Sequence, residues 1–439
     1  MIKFLKAFCL VCLITCAQCA FAANQTYVDM LKNNSLVVVQ GNSVETSKEH
    51  NLKPLLNYLD KADFKGAMAY DKTVGRAAAF LYVYGDADYV YADTMSKPAA
   101  KILKKNKIKY EYKNLVDEIQ NRTRTDICPF EKLVQDETNA TRAYGLIYHK
   151  TYPETSVVYF NPEITDDNLV EIFKISREKL NGKVALKTHS GEPGGHNFLK
   201  PEFMKKLVKH LHATIVECNT AYPGRRDTTE EHKIAVKEHG FTKIAKVDIM
   251  DEDGSLELKI PQGKQIKVNY VGSHLENYDS MMVLSHFKGH QMGGFGGALK
   301  NISIGIASSY GKMNIHGAGN PKIWTKDQDA FLTSMADASK SIMDYFGKDI
   351  TFINVMNNMS IDCDCNNNPK KPEMADIGML ASNDPVALDK ACLDLVYSSH
   401  DKGKHSLIER IESRHGILTI QVAEELKVGT TKYKLIEVK

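Results

Sequence analysis

The sequence predicts an α/β protein, in which a small α/β domain is followed by a larger α/β domain with a mostly parallel sheet. Two observations support this class. Short apolar runs that are typical of strands alternate along the chain with segments whose apolar residues have helical spacing. The composition is that of a globular protein, with 43% hydrophobic and 25% charged residues in a chain of 439.

The first 22 residues are predicted to be a secretory signal peptide. Lys3 and Lys6 precede the apolar run 7–14, and small residues close the segment. We expect cleavage before Ala23 and a soluble mature protein that is periplasmic or secreted. Loss of the two lysines lowers the formal net charge from +3 to +1, so charge gives no reason to expect a nucleic-acid partner. No later segment has the about 18 uncharged apolar residues of a transmembrane helix.

Five of the nine cysteines remain after the leader, an odd number that indicates free thiols or metal-bound thiolates and no disulfide framework. Cys363 and Cys365 alternate with Asp362 and Asp364, so two thiolates and two carboxylates could form a metal clip. Oxidation of the pair or a structural role are the alternatives. The others are interpreted as small buried hydrophobic side chains: Cys128, Cys218 and Cys392.

The first domain is predicted to cover residues 23–150. Its predicted strands lie at 36–40, 80–84 and 109–112, and its predicted helices at 52–59 and 97–105. Two motifs, YDKTVGRAAA at 70–79 and DICPFE at 126–131, resemble domain-of-unknown-function family 1893 over nearly all of residues 30–148. The resemblance implies a fold similar to that of cytidine deaminases.

The sequence does not predict the zinc site that deaminases of that fold contain. Deaminases need a His or Cys followed by a catalytic Glu, together with Cys-x-x-Cys. This chain has Val74-Gly75-Arg76-Ala77 at the first place, and Cys128 has no second cysteine at 125 or 131. The small residues 75–79 predict either close helix packing or a helix N-terminus that faces a ligand. We therefore expect a regulatory or degenerate binding domain.

The second domain, residues 151–439, is predicted to contain repeated β-α-β units and hence a mostly parallel sheet. Helical spacing predicts helices at 169–180, 201–211, 230–239, 329–346, 385–397, 407–411 and 419–426. Apolar runs predict strands at 183–187, 214–217, 281–284, 350–355 and 433–438. Polar motifs follow three of the strands, at 187–192, 219–226 and 285–301. Because ligands collect at the carboxyl ends of parallel strands, these loops predict a site.

The segment 281–316 is the centre of this prediction. A strand is followed by a glycine-rich turn and by a predicted helix start at Ala298, with histidines and lysines on either side. Glycine allows positive φ or a close approach to a ligand, and free N–H groups at a helix start can bind an anion. The glycines predicted to lie against a cofactor or ligand are Gly294, Gly296 and Gly297.

Six separated motifs carry a second resemblance over about 160–439. KTHSGEPGGHNFLKP, NTAYPGRRDTTEEHKIAVKEHGF, HFKGHQMGGFGGALKNISIGIAS, GKMNIH, CDC and DIGMLASNDPVALDKACLDLV agree in order and spacing. They resemble the uncharacterised Fe–S centre proteins of domain-of-unknown-function family 362. Members commonly carry a ferredoxin-like insert with clustered cysteines. Residues 317–331 contain no cysteine here, so no Fe–S cluster is expected.

A more distant likeness concerns His290, Lys300 and His316. Their spacing is similar to the pattern of nickel-pincer lactate racemases. By that likeness, His290 would be the acid–base group, Lys300 would hold the cofactor and His316 would bind the metal. An imidazole that titrates near neutrality and a ligand nitrogen suit such chemistry. A chain exported unfolded would not easily bring a preformed cofactor, and a divalent metal ion is the simpler cofactor hypothesis.

Each site residue also has a plainer interpretation. Lys300 could bind only an anion, His286 could be a hydrogen-bonded loop histidine, and His316 could be an ordinary loop residue. His189 and Glu192 are candidate site members, His189 as a third catalytic group. Arg225 and Arg226 are predicted to clamp a carboxylate. Asp389 and Asp394 are predicted to lie on a solvated face of their helix.

Two functions therefore remain open from the sequence. One is an exported enzyme that acts on a small carboxylate-like substrate through His290, Lys300 and a bound metal. The other is a protein that binds an anion or handles a metal through the same loops without turnover. In both, the partner is a small molecule or an ion.

Overall fold

The computed structural model describes residues 23–362, 364, 368 and 370–439. The chain divides into two compact units, of which unit 1 ends at Thr151 and unit 2 begins at Tyr152. Cys363 and Cys365 and the predicted leader lie outside the described residues. Within those residues, no helix is long and apolar enough to cross a membrane.

Unit 1 is an α/β unit built on one five-stranded sheet, in the order β2-β1-β3-β4-β5. Strands β3, β4 and β5 are parallel, whereas β1 pairs antiparallel with β2 and β3. Its elements in chain order are α1 (Gln25–Met30), β1 (Leu36–Gln40), β2 (Ser43–Ser47), α2 (Lys53–Leu59), β3 (Ala67–Val74), α3 (Arg76–Tyr84), β4 (Tyr89–Ser96), α4 (Lys97–Lys105), β5 (Lys109–Val116), α5 (Pro129–Leu133) and α6 (Ala140–Thr151).

The strand predicted at 80–84 is wrong, because these residues form the second half of α3. The helix is buried around most of its surface, including Ala77, Phe80 and Leu81. A short apolar run without polar alternation cannot be told apart from a strand by its pattern alone.

A side-chain carboxylate fixes the start of α3. Glu131 accepts hydrogen bonds from the amides of Arg76 at 2.8 Å and Ala77 at 3.1 Å. A Cβ atom on Gly75 would collide with Glu131 Oε1, so glycine is needed there. The N-terminus of α3 is thus occupied by the protein itself, and the interpretation of a helix start that faces a ligand is wrong. Cys128, predicted to be buried, is only half-buried and precedes α5.

Unit 2 is built on an eight-stranded sheet in the order β17-β6-β16-β15-β12-β7-β8-β9, in which only β16 runs against the others. Its elements in chain order are β6 (Ser156–Asn161), α7 (Asp166–Ser176), β7 (Val184–Lys187), α8 (Pro201–Leu211), β8 (Thr214–Glu217), α9 (Thr229–Glu238), β9 (Val247–Ile249), β10 (Ser255–Lys259), β11 (Val268–Gly272), β12 (Ser280–His286), β13 (Lys288–His290), β14 (Gly294–Gly296), α10 (Ala298–Ser303), α11 (Ser309–His316), α12 (Gln328–Phe346), β15 (Ile350–Met356), β16 (Gly378–Ser382), α13 (Pro385–Ser398), α14 (Lys404–Ser413), α15 (Ile417–Glu425) and β17 (Tyr433–Glu437).

The central strands of this sheet are buried along their whole length. All seven residues of β12 and all four of β7 are buried, which suits parallel strands covered on both faces. The mostly parallel α/β class predicted from the sequence is confirmed. Each of these strands ends on a polar residue, Lys187 for β7, Glu217 for β8 and His286 for β12, so the sheet presents charge at one edge.

The glycine-rich segment after β12 is a small hairpin, in which β13 pairs antiparallel with β14. Helix α10 then begins at Ala298, and Asp389 of α13 holds its start. One Asp389 carboxylate accepts from the amides of Ala298 at 2.8 Å and Leu299 at 2.9 Å and from the Asn354 side chain at 2.7 Å. A Cβ atom on Gly297 would collide with Asp389 Oδ1.

Two predictions for this segment are corrected by that carboxylate. The first two amides of α10 are not free for an external anion, because Asp389 already binds them. Asp389 itself is fully buried instead of solvated, and burial raises the pKa of Asp389 to about 6. Asp394 is half-buried and pairs with Lys390 at 2.6 Å. The spacing of the two aspartates on α13 does not reveal that Asp389 is the buried one. The Leu299 amide that Asp389 binds lies 90 residues away in the sequence.

We predict that Asp389→Asn lowers the free energy of unfolding by about 2–4 kcal/mol, since an amide group cannot accept from three buried donors at once. The measurement is urea unfolding of the full chain, followed by circular dichroism. Asp344→Asn is the matched control, because Asp344 is exposed and pairs with Lys340 only within α12, where such pairs contribute about 0.5 kcal/mol or less. Equal losses in the two variants would contradict the role of Asp389.

Candidate functional site

A cavity of about 300 Å³ lies where β7, β8 and β12 end. Its lining comes from the three loops that follow these strands, from the β13–β14 hairpin, and from α10 and α11. The convergence of three polar loops predicted from the sequence is therefore present. The charged and histidine side chains that line it are Lys187, His189, Glu217, Arg226, His286, Lys288, His290, Lys300, Lys312 and His316.

A buried ion pair lies at the carboxyl ends of β7 and β8. Lys187 Nζ lies 2.8 Å from Glu217 Oε2, and both side chains are buried. Glu217 Oε1 also accepts from the amide and the hydroxyl of Ser190, at 2.8 and 2.9 Å. Burial by itself would raise the pKa of Glu217, but the positive charges around it, with Lys187 first, hold that pKa well below its usual range. The carboxylate is therefore charged and satisfied.

Two further cations are matched by carboxylates. Arg226 pairs with Glu192, with Nε and Nη2 at 2.7 and 2.6 Å from Oε2. Lys288 pairs with Asp364 at 2.8 Å. Arg225 lies on the surface and pairs with Glu238 at 2.8 Å. The predicted double-arginine clamp is wrong for Arg225, since only Arg226 reaches the cavity.

His286 is held on both sides by acceptors. Its Nδ1 lies 2.9 Å from Asp364 Oδ2, and its Nε2 lies 2.6 Å from the carbonyl oxygen of Asn357. Burial would raise the pKa of Asp364, but His286 and Lys288 keep it well below its usual range. His286 is thus the hydrogen-bonded histidine expected from one interpretation, at the end of a strand.

Lys300 and Lys312 have no carboxylate partner in the part of the chain that the structure describes. Lys300 is half-buried in the cavity wall. Lys312 is buried, and its Nζ donates to the carbonyl oxygen of Ala307 at 2.6 Å. Burial lowers the pKa of Lys312 and Lys187 acts in the same direction, whereas Cys218, Asp251 and Glu217 act against them. Lys312 is thus close enough to Asp251 and Glu217 to feel their charge, but it forms no ion pair with either.

His290 and His189 share one hydrogen-bond arrangement. Nδ1 of His290 accepts from the amide of Gly293 at 2.9 Å, and Nδ1 of His189 accepts from the amide of Gly191 at 2.9 Å. A nitrogen that accepts a hydrogen bond carries no hydrogen, so the ring hydrogen of each histidine is on Nε2. Both side chains line the cavity.

His316 is the last residue of α11 and stacks between two aromatic rings. The ring centroid lies 4.3 Å from that of Trp324 and 4.7 Å from that of Phe331, nearly parallel to both. Its Nδ1 is buried and has no hydrogen-bond partner among residues 23–362, 364, 368 and 370–439. Burial lowers the pKa of His316 to about 3, and the charges of Lys300 and Lys312 act in the same direction. The ring is neutral at physiological pH.

The structure brings most of the predicted site residues together. His189, His290, Lys300 and His316 line one cavity, as do Gly296 and Gly297. Gly294 does not line it. Its φ is +78°, and an added Cβ would lie 2.9 Å from Gly416, so this glycine serves the packing of the hairpin.

Four charged cavity residues have no individual role predicted from the sequence, namely Lys187, Glu217, Lys288 and Lys312. Glu217 closes a four-residue strand, and Lys312 lies inside a helix that was not predicted. The sequence signal for Glu217 as a cavity residue is its position at the end of a strand, because ligands bind at the carboxyl ends of parallel strands.

The described residues contain no group of three His, Cys, Asp or Glu side chains that could hold a metal ion. Among those residues, His316 is therefore not part of a three-ligand group. Cys363 and Cys365 are not among them, so the metal assignments to these two cysteines and to His316 stay predictions.

The fold and the site together define an α/β protein with a cationic cavity at the strand ends of its larger unit. Residues 184–394 match the model of the family described as a domain of unknown function, DUF362. Residues 28–151 match that of the domain of unknown function DUF1893. Both resemblances drawn from the motifs are confirmed. Curated proteins gave no match.

Solved structures provide three comparisons. A DUF1893 family protein from Thermotoga maritima is 26% identical, with a TM-score of 0.28, over 29% of this chain and 88% of that one. A lactate racemase apoprotein from Thermoanaerobacterium thermosaccharolyticum is 13% identical, with a TM-score of 0.34, over 55% of this chain and 57% of that one. Another Thermotoga maritima protein is 12% identical, with a TM-score of 0.33, over 61% and 60%. The chain thus spans less than two thirds of the length of each of the last two proteins.

We predict that His316→Phe flattens the pH dependence of stability between about pH 6.5 and pH 3. The folded pKa of about 3 lies below the ordinary value, so the neutral ring contributes stability above pH 6.5 that is lost as the pH falls toward 3. Phe keeps the stacked ring but does not titrate. Unfolding free energies at several pH values should differ in slope by up to about 1.4 kcal/mol per pH unit. The exposed His400→Phe is the control, and an unchanged slope in His316→Phe would refute the argument.

Proposed function

We propose that the cavity of unit 2 binds a small anion that carries carboxylate-like groups. The observation that carries this proposal is the charge balance of the cavity wall. Lys187, Arg226 and Lys288 are each neutralised by a buried carboxylate, whereas Lys300 and Lys312 have no such partner among the described residues. An anion would supply the missing negative charge in a site that is largely shielded from water.

The histidines support the same ligand class. Backbone amides donate to the Nδ1 atoms of His290 and His189, so each ring carries its hydrogen on Nε2. Anionic oxygens accept hydrogen bonds from imidazole N–H groups strongly. The cavity volume of about 300 Å³ is at the small end of ligand sites, which favours a small organic acid over a nucleotide-sized molecule.

A catalytic role is the second candidate, in which His290 transfers a proton to or from a small hydroxy acid. As a base, His290 would need a free electron pair on Nε2. The neutral ring has this pair only if its proton moves to Nδ1, and that proton would break the bonds from Met292 and Gly293. This geometry supports binding more directly than turnover.

A third possibility adds a metal to the site. The buried Nδ1 of His316, which has no partner among the described residues, is the observation that favours it. His316 would be one ligand, and Cys363 and Cys365 are the proposed others. A bound divalent ion would supply positive charge for the same anion.

We predict that Lys300→Gln weakens binding of small carboxylates at least tenfold, which is about 1.4 kcal/mol, because it removes an uncompensated charge. Calorimetric titration at low ionic strength with lactate, malate, citrate and inorganic phosphate measures this. The exposed Lys322→Gln should bind as the wild type does. Gly296→Ala should also weaken binding, since its methyl group would lie 3.6 Å from Lys300 Cδ and 3.9 Å from Lys288 Nζ without a steric collision.

Absence of binding for all four anions, or full affinity in Lys300→Gln, would contradict the anion site. For the catalytic candidate, His290→Gln keeps an N–H donor and should leave binding within a few-fold. If wild-type protein converts a hydroxy acid and this variant does not, His290 acts in turnover. Without conversion by the wild type, the catalytic candidate fails.

For the metal candidate, we predict that natively purified mature protein contains a divalent ion and that His316→Ala and Cys363→Ser each reduce its content. Elemental analysis by mass spectrometry measures the metal per chain. His400→Ala, at an exposed position, is the control. A content near zero in the wild type, or equal content in all variants, would rule out these ligands.

A further inference from the structure

The N-terminal residue of the described chain contacts a distant carboxylate in unit 1. The backbone nitrogen of Ala23 donates to Glu111 Oε2 at 3.2 Å, across 88 residues. Glu111 lies on β5. Ala23 is half-buried, and together with Tyr27 and Val28 it packs against a cluster that contains Tyr70, Tyr89 and Tyr91.

One oxygen of the Glu111 carboxylate is unsatisfied. This second oxygen, Oε1, is buried and has no hydrogen-bond partner in the described part of the chain. The Tyr89 hydroxyl lies beside the same carboxylate, since burial and then Glu111 raise the pKa of Tyr89. A carboxylate among aromatic rings is costly unless a positive charge compensates it.

The sequence offers such a charge at the same atom. The predicted leader ends in Ala20-Phe21-Ala22, the small-residue pattern that precedes a signal-peptidase cleavage site. Cleavage after Ala22 would turn the Ala23 amide nitrogen into an ammonium group with three donors. The structure already places this nitrogen within hydrogen-bond distance of Glu111.

We propose that hydrolysis of the Ala22–Ala23 bond creates the N-terminus of the mature protein and that its α-ammonium group forms an ion pair with Glu111. Water supplies the hydroxyl group to the Ala22 carboxyl and a proton to the Ala23 nitrogen, and the resulting amine takes up the proton that the new carboxyl group releases. Processing therefore joins the segment that leads into α1 to β5. The pair can form only at Ala23, because one additional residue would move the charge by about 3.8 Å.

The test combines sequencing with a double-mutant cycle on the full chain. N-terminal sequencing of exported protein should give Ala23 as the first residue. Four chains are then compared: one that begins at Ala23, one with Gly-Ser before Ala23, and the Glu111→Gln variant of each. Hydrogen exchange of the slowest β4 amides reports the opening equilibrium of unit 1.

Glu111→Gln should increase opening about tenfold more in the chain that begins at Ala23 than in the extended chain. Glu45→Gln, on the exposed strand β2, should have the same effect in both. A different first residue in the exported protein would overturn the cleavage site, and equal effects of Glu111→Gln in both chains would overturn the ion pair. Neither outcome bears on the anion site of unit 2.

Discussion

The carboxylate of Asp389 is the contact on which the candidate site depends. It binds two amides of α10 and the side chain of Asn354 on β15, so one buried group joins α13, α10 and the sheet. Lys300 lies in the first turn of α10, and its position in the cavity wall follows from where that helix begins. Gly297 is required for the same reason, since any larger residue would displace the carboxylate.

In unit 1, a buried carboxylate also binds the first amides of a helix. There Glu131 binds the first amides of α3, and Gly75 leaves room for it. Helix starts that follow a glycine usually attract an anion through their free N–H groups. In both units the protein supplies that anion itself. The positive character of the cavity in unit 2 therefore comes from side chains, chiefly Lys300 and Lys312, and not from a helix N-terminus.

The sequence predicted the architecture better than the contacts. Strand ends at Lys187 and Glu217 follow from apolar runs of the right length, whereas the apolar run 281–284 stops two residues before the end of β12 at His286. The order of elements then brings the three loops together. The apolar run 80–84 predicts a strand because a largely buried helix has no wide polar face to reveal its period. Asp389 and Glu131 could not be recognised as caps, because the amides that they bind lie 90 and 54 residues away.

The site itself was predictable only in part. His290, Lys300 and His316 come from one continuous segment, so their spacing carried the information. The pairing of Lys187, Arg226 and Lys288 with buried carboxylates depends on three-dimensional neighbours, and so does the lack of such a partner for Lys300. Which cation remains uncompensated is a property of the folded structure and cannot be derived from residue types along the chain.

Trp324 is the single tryptophan of the chain. It stacks on His316, it lines the cavity, and its indole nitrogen lies 3.1 Å from the Met313 sulfur. Its fluorescence therefore originates entirely from the wall of the candidate site, with an imidazole in direct contact as a quencher. The protein thus carries an intrinsic optical probe of cavity occupancy and of the charge state of His316, and no label has to be introduced.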